Sequence, residues 1–216
     1  MSDSVAVFLD RDGVLNELVR DPLSGAPESP LKVDDVSLVE GAGAALAALQ
    51  RAGFVLVCVS NQPAAAKGTV SLEQLHGVHA RVLELLARQG VRLAASRLCP
   101  HHPAGIVPEL SGPCTCRKPA PGMLLDIAGA WRLDLHVAWM VGDTDADIGA
   151  GRAAGCKTVL IDYPGSAHKR NGQTQPDVHA PNLASAVEQI LGALAPGVGD
   201  SYIDKTLTGH PKKAAK

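Results

Sequence analysis

Four short runs in this chain carry residue types that do chemistry. Asp10 and Asp12 stand two apart and are followed by Gly13. Ser60-Asn61-Gln62 supplies a hydroxyl and two amides, Arg117-Lys118-Pro119 two cations, and Asp143-Thr144-Asp145-Ala146-Asp147 a second acidic cluster. Apolar runs lead directly into three of them: Val5–Leu9, Val55–Val59 and Val137–Val141. Ligands of a parallel α/β sheet bind outside the carboxyl ends of its strands. Residues that end such strands therefore meet at one rim. Asp-x-Asp-Gly alone reads equally well as a polar turn. An acid pair, a hydroxyl, a lysine and a second acid cluster together read as a site.

A second constellation is built from sulfur and imidazole. Cys99-Pro100-His101-His102 precedes Cys114-Thr115-Cys116 across a loop. Three thiolates and one imidazole match a closed, tetrahedral structural zinc site. A disulfide or free thiols are the alternatives, and a disulfide requires an oxidising compartment. His101 and His102 are equivalent candidates on spacing. Cys116 adjoins Arg117-Lys118, so a metal there would fix the backbone that aims both basic side chains. Cys58 and Cys156 lie in strand contexts and read as core.

The elements that position these residues alternate. Strands are expected at Val5–Leu9, Phe54–Val59, Leu93–Leu98, Val137–Val141 and Lys157–Ile161, the last taken as the final core strand. Helices are expected at Gly43–Arg51, from Ser71 to Gly90, from Pro121 to Ala130, from Asp145 to Ala154 and at Leu183–Leu194. Ser71 and Gln74 have the spacing of a capping box. Leu72, Leu75, Val78, Val82, Leu85 and Leu86 recur at helical spacing. Strand–helix alternation predicts an α/β fold with a mostly parallel, Rossmann-like sheet flanked by helices. Leu18–Val36 is proline-rich and irregular; following Asp12 directly, it is expected to act in substrate selection. Asp145 reads as a helix N-cap or a solvated residue. His76, His79, His136, His168 and His179 read as surface or packing residues. Residues 1–194 are expected to form one domain that includes a zinc loop at 99–116, with 195–216 as a weakly ordered tail.

Composition supports an enzyme rather than a nucleic-acid or membrane partner. Of the 216 residues, 46% are hydrophobic, enough for a sizeable core, and net charge is −2. Only 3% are aromatic, so stacking platforms for nucleic acid are scarce. No apolar run approaches the roughly 20 residues of a spanning helix. Met1-Ser2-Asp3-Ser4 lacks the basic start of a signal peptide. A cytoplasmic monomer is expected.

The order and placement of the four runs resemble the motifs of the haloacid dehalogenase (HAD) superfamily of phosphotransferases, from about Val5 to Ile161. Asp10-Arg11-Asp12-Gly13-Val14-Leu15-Asn16, Ser60-Asn61-Gln62, Cys99-Pro100-His101-His102-Pro103 and Cys114-x-Cys116-Arg117-Lys118-Pro119 resemble its zinc-containing subgroup. That subgroup includes heptose-1,7-bisphosphate 7-phosphatases and histidinol-phosphate phosphatases. The resemblance implies a magnesium-dependent phosphatase with little or no cap domain, acting through an aspartyl-phosphate. It makes Asp10 the nucleophile and Asp12 the acid and base, with Ser60 and Lys118 stabilising the phosphoryl group. It places magnesium on Asp10, the backbone carbonyl of Asp12, and Asp143, with Asp147 in support. It makes His101 the histidine ligand of zinc, beside Cys99, Cys114 and Cys116. Arg11, Asn61 and Arg117 are the expected substrate contacts, Arg117 for a second phosphate or sugar hydroxyls. The chain departs from the subgroup in its longer Leu18–Val36 segment and in Thr144, where some members carry a basic residue. A small phosphorylated sugar is the expected substrate. Histidinol phosphate, another small phosphomonoester, or a non-catalytic zinc-bearing interaction module are the alternatives.

Overall fold

β1 (Ala6–Leu9) is buried on both faces, as a central parallel strand must be. Val7 and Leu9 point into one apolar layer, Ala6 and Phe8 into the other. The structure, a computed structural model, describes residues 5–22, 24–172 and 174–193. Leu194 and the 195–216 segment lie outside the described residues.

Around β1 the sheet runs β5-β4-β1-β6-β7-β8, every pair parallel. The strands are β4 (Val55–Asn61), β5 (Ala95–Cys99), β6 (Trp139–Gly142), β7 (Lys157–Ile161) and β8 (Val178–Ala180). Helices α1 (Ala42–Arg51), α2 (Leu72–Arg88) and α5 (Leu183–Gly192) cover the face reached by Val7 and Leu9. Helices α3 (Gly122–Trp131) and α4 (Asp145–Ala154) cover the opposite face. Chain order moves outward from β1 to β4 and β5, then returns to β6 on the other side. That reversal opens a crevice at the carboxyl ends of β1 and β6, where α/β sheets hold ligands.

Local signals explain most boundaries. Ser71 and Gln74 do form the capping box that starts α2. Leu75, Val78, Val82 and Leu86 are buried on it, while Leu72, at 41% exposure, lies off that face. Gly155 closes α4 in the left-handed region, at φ 87°. Asn182 caps α5 by accepting from the Ser185 N–H. Cys58 and Cys156 are buried in the two core layers.

Three expectations need correction. β7 is not the last strand: β8 extends the sheet, three residues long and too short for a periodic signal. Its register is fixed by Asp177, which accepts from both the amide and the hydroxyl of Thr158. Asp145 does not cap α4. Thr144 is the N-cap, and Asp145 accepts instead from the Asn171 amide at 2.6 Å and the Thr174 hydroxyl at 2.8 Å. Within the irregular 18–36 segment, β2 (Val19–Arg20) and β3 (Pro27–Glu28) form a two-stranded antiparallel ribbon. Among the described residues nothing amounts to a separate cap domain.

Leu46 is fully buried between α1 and the sheet. Leu46→Ala is expected to lower stability by roughly 2–5 kcal/mol, seen as a reduced urea midpoint at unchanged m-value.

Candidate active site

The acid pair leaves β1 on a tight turn. Its carboxylates go to different partners. The Asp10 amide donates to the Val141 carbonyl at 3.0 Å, tying the turn to β6. Gly13 has φ 79°, and a Cβ there would lie 2.1 Å from Asp143 Oδ2. Only glycine lets the turn after β1 press against the acid that ends β6. Gly142 plays the same part for Asp147, whose side chain fills the space a Cβ would occupy.

Lys118 is the hub. Its side chain is 1% exposed, and Nζ lies 2.9 Å from Asp10 Oδ1, 2.6 Å from Asp147 Oδ1 and 2.7 Å from the Val59 carbonyl. All three ammonium protons therefore have acceptors. Burial works against the charge, but Asp10 and Asp147 outweigh it and hold the pKa above its ordinary value. Asn61 fixes the Lys118 backbone, accepting from its N–H at 3.0 Å and donating to its carbonyl at 3.0 Å. Asp147 Oδ2 accepts from the Thr144 amide and hydroxyl, at 3.1 and 2.6 Å.

Asp12 is held by donors alone. Arg11 reaches both its oxygens, Asn16 Nδ2 donates at 2.9 Å, Gln62 Nε2 at 2.6 Å and the Ser29 hydroxyl at 2.9 Å. Burial pushes this carboxyl up, but Arg11 and the three hydrogen bonds prevail and keep it below the ordinary range. Asp10 behaves oppositely. Burial raises it to about 6, with Asp147 and Asp12 adding to the shift and Lys118 opposing it. Asp143 is raised by burial and by Asp147 and Asp10.

These residues meet in a cavity of about 350 Å³ lined by Asp10, Asp12, Asn61, Arg117, Lys118, Asp143 and Asp147, with Leu18, Glu28 and Ser29 from the 18–36 segment. That segment thus reaches the mouth of the crevice. A larger hollow of about 470 Å³, lined by Leu160, Asp162, Arg170 and His179 among others, contains none of the four carboxylates. Asp10, Asp143 and Asp147 offer oxygens within 4.8 Å of one another. Asp143 Oδ1 is buried with no hydrogen-bond partner among the described residues. Hard carboxylate oxygens converging with an unsatisfied one fit a divalent cation of the magnesium type. The Asp12 side chain stands outside this group.

The sulfur cluster assembles as well. Cys99 Sγ lies 3.7 Å from Cys114 Sγ and 3.1 Å from Cys116 Sγ, and His101 Nδ1 lies 3.3 Å from Cys116 Sγ. Tetrahedral ligands at zinc–sulfur distances would stand ~3.8 Å apart. All five cysteines are free thiols rather than disulfides. His101 faces the thiols. His102 turns away, its Nδ1 accepting from the Ala104 amide. Arg117 Nη1 donates to the His101 carbonyl at 3.2 Å, joining this loop to the crevice.

Two expected contacts lie elsewhere. Arg11 is not at the substrate surface: its side chain is fully buried and donates inward to Asp12 and Gln62. Ser60 is buried too, with its hydroxyl on Asp10 and a proton received from Gln62 Nε2. Asn61 lines the cavity, yet its amide is engaged with Lys118. His79, read as a surface or packing residue, is buried on α2 and pulled down to about 4 by burial and Arg11. Gln62 and Asn16 were missed although both sit inside motif strings. Ser29, Glu28, Lys67 and Lys169 carried no sequence signal, because loops place them.

Comparison with known proteins agrees with this geometry. The HAD-hydrolase-like family model matches residues 115–186. The chain is 39% identical over 201 residues to a D-glycero-D-manno-heptose-1,7-bisphosphate 7-phosphatase of Thermosynechococcus vestitus, covering 88% of this chain and 97% of that protein. It is 35% identical over 191 residues to the D-glycero-beta-D-manno-heptose-1,7-bisphosphate 7-phosphatase of Yersinia pestis, with the same coverage. The crystal structure of D,D-heptose 1,7-bisphosphate phosphatase from B. bronchiseptica, complexed with magnesium and phosphate, superposes with a TM-score of 0.73 at 30% identity, over 87% of this chain and 98% of that one. The chain belongs to the heptose-bisphosphate phosphatase family of HAD-like hydrolases. It is a phosphomonoester hydrolase.

The raised Asp10 carboxyl sets a pH dependence for the metal-free protein. A carboxyl whose folded pKa exceeds its unfolded value binds protons more tightly when folded. Stability from this group is present below pH 3.8 and is lost as pH rises through about 6. Thermal melts in a magnesium chelator are expected to show lower stability at pH 7.5 than at pH 5, by on the order of 1–3 kcal/mol. Adding magnesium should reverse the loss at pH 7.5 more than at pH 5.

Proposed function

We propose that this protein hydrolyses the 7-phosphate of D-glycero-D-manno-heptose 1,7-bisphosphate, with Asp10 as nucleophile. The observation that carries the mechanism is Lys118 Nζ at 2.9 Å from Asp10 Oδ1, inside the cavity that Asp12 and Asp143 also line. The names of the relatives support the sugar. Asp10 attacks phosphorus, the bond to the sugar oxygen breaks, and Asp12 delivers the proton that the leaving alkoxide needs. Asp12 then removes a proton from the water that hydrolyses the aspartyl-phosphate, releasing phosphate and restoring Asp10. Held below the ordinary range, Asp12 begins as a carboxylate and takes up its proton as the dianionic substrate arrives. Lys118 bears on the charge of the transferring group, and Ser60 acts by orienting Asp10. Asn61 supports Lys118 and contributes to the cavity wall. Arg117 takes the second phosphate through its planar fork.

Asp10, Asp143 and the Asp12 backbone carbonyl would hold magnesium, with Asp147 in support. The cation would neutralise charge between the nucleophile and the phosphoryl oxygens. Cys99, His101, Cys114 and Cys116 would hold zinc in a structural role. In this reading residues 1–194 are one catalytic domain, working as a monomer in the cytoplasm.

The deciding measurement is phosphate release from both anomers of the heptose 1,7-bisphosphate, histidinol phosphate and simple sugar phosphates. A heptose bisphosphate is expected to lead in kcat/KM by at least tenfold. A lead by histidinol phosphate would keep the mechanism and overturn the sugar. Asp10→Asn should lower kcat by at least about a thousandfold, and a variant that keeps full turnover would end the aspartyl-phosphate mechanism. Zinc removal tests the loop separately. A chelated protein, with magnesium resupplied, should lose activity through KM and kcat together and should melt at lower temperature. Full turnover with an unchanged melt would exclude a structural zinc.

A further inference from the structure

Of the side chains that hold Asp12, one differs in kind. Arg11, Asn16 and Gln62 are fully buried. Among the described residues they contribute nothing to the cavity lining, whereas Ser29 lines it beside Asp12. Ser29 is also the hydroxyl among amide and guanidinium donors.

Arg11 donates from Nε to Asp12 Oδ1 at 3.1 Å and from Nη2 to Oδ2 at 3.0 Å. A guanidinium has no acceptor to offer. Asn16 Nδ2 donates to Oδ1 at 2.9 Å and to the Glu17 carbonyl at 3.0 Å, which fixes its amide. Gln62 Nε2 donates to Oδ2 at 2.6 Å while its Oε1 accepts from Arg11 Nη2 at 2.8 Å. Neither amide can turn an acceptor toward Asp12 without breaking a second bond. Ser29 Oγ, 2.9 Å from Oδ2, can donate or accept by rotating its proton.

The difference matters because the proposed reaction uses Asp12 in two forms. As a carboxylate it only accepts, and every one of these donors suits it. As a carboxylic acid it carries a proton that needs an acceptor of its own. Among the described residues bonded to the Asp12 side chain, Ser29 is the partner able to supply one, and it does so on the cavity wall.

The ribbon sets the place of this hydroxyl. Ser29 directly follows β3, which pairs with β2. Pro30 comes next, is buried, and favours extended backbone at Ser29. At the base of the ribbon the Tyr163 hydroxyl accepts from the Leu18 amide at 3.3 Å. The 18–36 segment therefore reaches the acid itself as well as the mouth of the crevice.

We propose that Ser29 is a positioning residue for proton transfer: its hydroxyl donates to the Asp12 carboxylate and accepts from the Asp12 carboxylic acid, keeping the transferable proton on the cavity side. When the leaving oxygen takes that proton from Asp12, the hydroxyl turns back to donate, and Ser29 itself gains and loses no proton. The proposal rests on the reading of Asp12 as acid and base and is independent of the sugar.

The test uses the magnesium-loaded protein on two esters of similar size, phenyl phosphate and p-nitrophenyl phosphate. The nitrophenolate leaves without a proton; the phenolate needs one far more. The quantity read is the ratio of kcat/KM for the two esters in wild type, Ser29→Ala, Ser29→Cys, Ser29→Thr and Asp12→Asn. Ser29→Cys keeps the size of the side chain should the alanine variant fold poorly. Ser29→Ala and Ser29→Cys should slow phenyl phosphate about tenfold and p-nitrophenyl phosphate by less than about twofold. Ser29→Thr, which keeps the hydroxyl, should restore the wild-type ratio, and Asp12→Asn should shift it furthest. If Asp12→Asn shifts the ratio and Ser29→Ala and Ser29→Cys leave it within twofold of wild type, the role of Ser29 is wrong while that of Asp12 stands. Equal slowing of both esters that threonine does not rescue would mean a merely structural serine and would also overturn the proposal. An unshifted ratio in Asp12→Asn would remove the acid–base reading and the proposal with it. A lead by another substrate over the heptose bisphosphate would overturn the sugar alone.

Discussion

A buried ammonium holds this site together. Lys118 stands between Asp10 and Asp147 with its third proton on a strand carbonyl. Taking a single unpaired charge out of water costs several kcal/mol, comparable with the net stability of a whole domain. The chain buries four carboxylates within a few residues of two strand ends, so the sign and position of every neighbour matter. Asp12 is balanced by Arg11. Asp10 and Asp147 share Lys118. Among the described residues Asp143 enters no ion pair, and its Oδ1 has no hydrogen-bond partner. That leftover negative charge is what suits the floor to a divalent cation and makes the metal-free cluster electrostatically uncomfortable.

The two central acids differ because their surroundings differ. Asp12 is ringed by donors and stays ionised below its ordinary pKa, whereas Asp10 is desolvated among like charges and rises to about 6. Nearby carboxylates driven apart in this way can take distinct parts in proton transfer and bond formation. The backbone enforces the arrangement at Gly13 and Gly142, where a Cβ would collide with Asp143 and Asp147. A larger residue at either position would separate the strand ends whose closeness defines the crevice.

Much of this was legible in the sequence because local chemistry and global placement agree here. Strand-like runs ending in Asp10 and Asp143 announced a parallel sheet, and a parallel sheet puts such ends together. Ser71 with Gln74, and Gly155 after α4, marked helix limits through their own hydrogen bonds and dihedrals. β8 escaped because three residues carry no periodicity, and its pairing depends on Asp177 and Thr158. Thr144 rather than Asp145 caps α4, since only its position before the first helical turn meets Asp147. Arg11 was expected to contact substrate. Its inward turn follows from Asp12 and Gln62, and Gln62 lies about fifty residues away in sequence. Ser29, Lys67 and Lys169 are positioned by loop geometry, which no spacing rule reaches.

Among the described residues no cap domain covers the crevice, and loops build its rim instead. The Tyr163 hydroxyl donates to Glu17 Oε2 at 2.5 Å and accepts from the Leu18 amide at 3.3 Å, so the segment after β7 grips the start of the 18–36 ribbon. The ribbon returns Ser29 to Asp12 on the opposite side. The sulfur-bearing loop joins through Arg117 and through the amides it gives to Ala66. Three excursions from three different strands are thus fastened to one another or to the acids rather than left in solvent. Fastened loops lose less conformational entropy on meeting a ligand than mobile ones. A rim built in this way can hold its charges in register over a rigid floor, which is what selection of a small polar substrate would require where, among the described residues, no cap domain covers it.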